Sequence, residues 1–191
     1  VALACGSPGR TTLAAGQPAH AGLKYMQAQR QPLSDARWHF QHGPIDLIVW
    51  ADGDAQAVEA AHEDAWRVFQ DVLPALVREL PVLRQAVQPA QANPLKGEVA
   101  QRMWSACAPL ACDREEGFIT PMAAVAGAVA EEILKCFARA GVPRAWANNG
   151  GDIALHLTDQ QSLRIGLVAD IARALAHSPW DDLLLDGHLD L

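Results

Sequence analysis

Basic residues are scarce in this chain: 15 Lys and Arg stand against 22 Asp and Glu, a formal net charge of −7. No Lys/Arg-rich run occurs, which excludes general nucleic-acid binding through a basic patch. Long apolar runs are missing too. The longest, Pro121 to Ala130, stops at Glu131 and Glu132 and is too short to span a bilayer. The four cysteines, at 5, 107, 112 and 136, form no CxxC pair. They read as reduced core cysteines, with a Cys107–Cys112 disulfide or metal pair as the alternative. There is no Walker loop, GxGxxG, GxSxG or HExxH, and no internal repeat. No serine or cysteine sits beside a base in a recognisable nucleophile motif, so no catalytic residue is assigned. His39 and His42 are an odd number of residues apart, which puts them on opposite faces of a strand and argues against a shared metal.

What is present is concentrated between Ile119 and Ile153. Thr120 is placed to cap a helix, and Pro121 fits its first position. Gly141 stands as a C′ glycine with Pro143 after it. Arg144 to Asn148 is a short apolar strand, and Gly150-Gly151-Asp152 is a tight turn with an acid at its rim. The helix is lined by Ala123, Ala124, Ala126, Gly127, Ala128 and Ala130. Glycine inside a helix costs roughly 1 kcal/mol against alanine, so Gly127 needs a packing or close-approach reason. Two readings stand: a helix packed tightly on a sheet, or one whose small residues and N-terminus face an anionic ligand. Asp152 either holds a ribityl or ribose hydroxyl or a metal-bound water, or caps its own turn.

Gly127, Glu131, Gly141-Val142, Arg144-Ala145, Asn148 and Gly150 to Ile153 resemble the core of the ApbE superfamily, flavin transferases that move FMN from FAD onto a protein threonine. The chain stands nearest to an uncharacterised sister family, sharing PMAAVAGAVAE (Pro121 to Glu131), NGGDI (Asn149 to Ile153) and RWHFQHGPIDLIV (Arg37 to Val49). The resemblance covers Met26 to Asp170. It implies an α/β (α+β) fold, a mixed sheet with packed helices. It also implies FAD and Mg²⁺ as cofactors. The ligand site it implies consists of Thr120, Met122, Ala123, Ala126, Gly127, Asn148, Asn149, Gly150, Gly151 and Asp152. One departure matters: the transferases carry a lysine where this chain has Ala126, and alanine supplies no charge to a pyrophosphate. The superfamily's acidic and threonine magnesium ligands lie in a C-terminal third that is expected outside this chain. Two functions follow: an enzyme cleaving or transferring from FAD with magnesium, or a non-catalytic protein binding a nucleotide-like small molecule on the same scaffold.

The remaining sequence supports one soluble domain. Of 191 residues, 50% are hydrophobic and 19% charged, an ordinary globular composition. Residues 1–25 read as a flexible extension or a non-native leader, and 26–191 as a single ApbE-like domain, the N-terminal two-thirds of one. A cytoplasmic location is expected; Leu3 to Gly6 faintly resembles a lipobox, the envelope alternative. Arg37 to His42 and Ile45 to Trp50 predict a hairpin. Asp54 opens a long amphipathic helix that Pro74 kinks or restarts, with His62 on its solvated side. Gln85 to Gly97 reads as a loop, Glu98 to Ala106 as a helix, and Pro109 to Gly117 as irregular. Asp113 to Glu116 is either exposed or a rim of the site. Ile153 to Leu157 and Leu163 to Val168 read as strands. The apolar residues of Ser178 to Leu191 need a partner surface, so association into a homo-oligomer is expected.

Overall fold

The centre of the fold is set by alternation. Ile45, Leu47, Val49 and Ala51 are buried, while the residues between them are half-buried or exposed. In a strand this period sends one row of side chains to a single face. The computed structural model describes residues 27–88, 91–112, 118–167 and 187–190. Strand β3 (Ile45–Asp52) pairs antiparallel with β2 (Arg37–His42), and Ile45 faces His42 across a two-residue turn. Strand β1 (Gln29–Pro32) pairs outside β2. On the other side of β3 lies β4 (Arg144–Asn149), and β5 (Asp152–Leu157) folds back on it. The five-stranded order is β1-β2-β3-β4-β5, every pairing antiparallel. A separate two-stranded ladder joins β6 (Arg164–Leu167) to β7 (Gly187–Asp190). The α/β (α+β) class implied by the resemblance holds.

Three helices fill the connection from β3 to β4: α1 (Ala55–Leu83), α2 (Glu98–Cys112) and α3 (Val125–Leu134). Asp54 caps α1 as expected, its Oδ1 accepting the Ala57 N–H at 2.9 Å. The helix then continues through Pro74 and Pro81 as one element, with no restart. Its buried stripe includes Ala61, Ala65, Phe69, Val72 and Leu76, packed on Phe40, Leu47 and Val49 of the sheet. His62 departs from the expected solvated face. It is buried against the rings of Trp38 and Phe137, and burial, the largest effect on it, lowers its pKa to about 4. His39 and His42 lie on opposite faces of β2, as expected. His39 Nε2 is 2.9 Å from Asp46 Oδ1, and His42 packs beside Phe69.

Helix α2 is longer than predicted, running through Pro109 to include Cys112. Cys107 and Cys112 therefore sit on one helix. Buried Cys107 donates its S–H to the Thr120 carbonyl at 3.4 Å. The Asp113 to Glu116 run, the lipobox-like segment and residues 178–186 lie outside the described residues. No helix among the described residues is long and apolar enough to cross a membrane.

One corner locks the layers together. Gly53 has φ +145°, and a Cβ there would lie 2.1 Å from the Gly141 carbonyl oxygen. That oxygen accepts the Asp54 N–H at 2.8 Å. Gly141 itself has φ +85°. It sits beyond the end of the helical segment, which closes at Phe137, so it is a turn residue of the β4 approach rather than a C′ cap. The two glycines let the β3–α1 corner touch the turn before β4, which fixes α1 against the strand.

Candidate functional site

The far end of β4 is built differently. Asn149 faces Asp152, leaving Gly150 and Gly151 as a two-residue hairpin turn. Both have positive φ, +63° and +105°, which only glycine adopts without strain in a turn of this twist. The Asn148 Oδ1 accepts the Gly151 N–H at 2.9 Å and holds the turn. The turn-capping job suggested for Asp152 therefore belongs to Asn148. A Cβ at Gly150 or Gly151 would meet nothing within 4 Å. The turn is open above.

Helix α3 is delivered to this turn by a short 3₁₀ segment, Pro121–Ala124. Pro121 holds the first position, as predicted. Thr120 gives no side-chain cap; instead its carbonyl accepts the Ala123 N–H at 3.0 Å. The tighter 3₁₀ winding explains the difference, because the first N–H is met by backbone within three residues. The segment after α3 is also 3₁₀, Lys135–Phe137, and Cys136 lies in it.

Two contacts tie α3 to the β4–β5 end. Buried Asn149 donates its Nδ2 to the Ala126 carbonyl at 3.1 Å. Gly127 lies under Asp152: a Cβ there would be 3.8 Å from Asp152 Oδ2. An alanine would fit there at ordinary contact distance, so no close approach demands the glycine, and the neighbour is an exposed carboxylate. Asp152 pairs with Asn149 and so shares its face of the sheet, towards α3. No hydrogen-bond partner for the Asp152 carboxylate is found among the described residues.

The helix is held from behind by Arg102 of α2. It donates to the Ala128 carbonyl at 2.9 Å and pairs with Glu131 and Glu132, each at 2.9 Å. Burial pushes the Glu132 carboxyl upward, but hydrogen bonds from Lys135 and Arg102 outweigh it and hold the group below its ordinary range. Such charge-assisted contacts fix the helix register more firmly than neutral ones would.

Beside the turn opens a cavity of about 400 Å³. Its walls come from Ile45 of β3, Leu76 and Leu80 of α1, Met122 and Ala126 at the α3 entry, and Asn149 with Gly150. Four of the ten residues singled out in the sequence therefore line it: Met122, Ala126, Asn149 and Gly150. Gly127 and Asp152 face each other beside α3, Asn148 and Gly151 form the turn, and exposed Ala123 and half-buried Thr120 stay outside the lining. Sequence reasoning missed the α1 wall and Arg84. The available signal was the apolar stripe Leu73, Leu76, Val77, Leu80, which is wider than one packed face requires. Among the described residues no group of three His, Cys, Asp or Glu is placed to hold a metal.

A family model described as AbpE bacteria matches residues 28–184. A UPF0280 protein of Methanosarcina acetivorans is 31% identical over 140 residues, covering 73% of this chain and 50% of that protein. The chain spans about half the length of the curated relative it matches.

Proposed function

The chain belongs to the family described as AbpE bacteria, an ApbE-related family, and from that premise we propose that it binds a flavin nucleotide such as FAD beside the Asn148–Asp152 turn. The observation that supports this reading is the cavity. Its volume, about 400 Å³, falls in the range of small-molecule sites, roughly 300–1,000 Å³. Apart from Arg84 and Asn149 its described walls are apolar, as a flat ring system requires, and it adjoins a glycine turn with open space above it. In this reading the ring system enters the cavity and Asp152 accepts a hydrogen bond from a ribityl or ribose hydroxyl. A magnesium ion would find one carboxylate here, Asp152, with phosphate oxygens and water completing its shell.

Binding rather than group transfer is the function we favour. Ala126 offers no cation to a pyrophosphate, and its carbonyl is already engaged by Asn149. The test is a fluorescence titration with FAD, with and without magnesium. FAD is dim because its two rings stack, so an immediate saturable change without AMP release supports binding. A slow magnesium-dependent rise with AMP release would establish an ApbE-type enzyme instead. A flat response removes flavin from the account.

A further inference from the structure

Among the described residues the cavity has one formal charge on its wall, and it is positive. Arg84 follows α1 as its C-cap, its N–H bonded to the Leu80 carbonyl at 3.1 Å. The side chain is exposed and lines the cavity. Among the described residues it forms no ion pair and no side-chain hydrogen bond. Six of the other arginines with described side chains, at 30, 37, 67, 102, 139 and 144, each pair with a carboxylate. Among the described residues no Asp or Glu lines the cavity, although acids outnumber bases in the chain by 22 to 15. An unpaired guanidinium at the mouth of an apolar space is complementary to an organic anion whose body is apolar.

We propose that Arg84 is the specificity-determining residue of this cavity, selecting a ligand with an apolar body and an acidic group held at the guanidinium. The inference rests on the reading that the cavity takes a small molecule. It adds which class enters and what excludes the rest. The end of α1 sharpens the selection. The helix C-terminus carries a partial negative charge, so without Arg84 the mouth would repel the anion rather than merely ignore it.

The test uses the full chain and two dyes that differ by a sulfonate: anionic 1-anilinonaphthalene-8-sulfonate and neutral N-phenyl-1-naphthylamine. Arg84→Gln should weaken the anionic dye about fivefold and leave the neutral dye within about twofold, the upper end of the range for an exposed charge pair. Arg84→Lys should recover part of the loss. Raising salt should weaken the anionic dye on the native chain and not on Arg84→Gln. Ala126→Phe fills the cavity and should abolish both. Equal anionic affinity in Arg84→Gln overturns the proposal, and so does binding that survives Ala126→Phe. If FAD fails to bind while the dyes behave as described, the flavin reading falls and the anion site stands. If FAD binds and the dyes ignore Arg84, the reverse holds.

Discussion

Strand β4 ends in two glycine junctions that do opposite things. At its start, Gly141 meets Gly53 with no room to spare: a Cβ on Gly53 would lie 2.1 Å from a backbone carbonyl. At its end, Gly150 and Gly151 have nothing within 4 Å of where a Cβ would be. Both junctions need positive φ. Only the first needs the missing side chain to let two backbones touch. Glycine at the closed junction serves the fold, and glycine at the open one leaves access to the strand end and the cavity beside it. Position along the chain gives no hint of this division; the occupancy of the space around each residue does.

The contrast can be broken in order of expected effect. Gly53→Ala is the severest, because strained backbone and overlap with main chain act together. It should cost about 3 kcal/mol or more, read as a lowered urea midpoint. A loss below about 1 kcal/mol would show the closed junction to be slack. Gly151→Ala should cost only the strain of its left-handed backbone, about 1–2 kcal/mol, with no steric addition. A loss matching that of Gly53→Ala would erase the distinction.

The closed end also carries a pH signature. His62 packs against Phe137, just before that junction. Burial, with a smaller push from Arg30, holds its pKa at about 4 despite the opposing pull of Glu63. The unfolded chain takes up the proton below about 6.5, whereas the folded chain refuses it until about pH 4. His62 stability is therefore complete above pH 6.5 and is lost as pH falls from there towards 4. Denaturation curves from pH 7 to 5 should flatten in His62→Phe relative to the native chain. Parallel slopes would show that the imidazole is not shielded. The smallest effect is a gain. Gly127→Ala puts a Cβ at an ordinary contact distance from Asp152 and should raise stability by about 0.5–1 kcal/mol through helix propensity. A loss would reveal a tighter approach than 3.8 Å implies.

Much of this was legible where local pattern and tertiary environment agree. The alternation of Ile45 to Ala51, the Asp54 cap and the two-glycine turn all follow from short-range rules. The prolines misled. Pro109 prompted an irregular reading, yet α2 runs through it, as α1 runs through Pro74 and Pro81. Burial of α1 and α2 against the core outweighs the hydrogen bonds lost. Strand β1 carries no sequence signal, because Gln29-Arg30-Gln31-Pro32 has no apolar row; it is an edge strand, where polarity and proline are tolerated. A histidine's polarity suggests the solvated face, yet His62 is buried. Its spacing from Ala65 and Phe69 puts it on the buried stripe. At the site, the turn and the small-residue helix were readable in sequence, but the cavity wall was not. Ile45, Leu76 and Arg84 come from distant parts of the chain and meet only in three dimensions.

The pairing of β3 with β4 brings together residues far apart in the chain: Asp52 and Arg144, which form an ion pair at its edge, are 92 residues apart. The hairpins on either side are local and should close within about 1–10 μs. Joining them means closing a long loop first, which makes this seam the slow step of folding. During synthesis at about 5–20 residues per second, the β2–β3 hairpin waits on the order of 5–18 s for β4 to emerge. Throughout that interval the inner edge of β3 is an open template for any passing strand. Growth temperature and chaperone supply should therefore govern the yield of this protein more strongly than its final stability does.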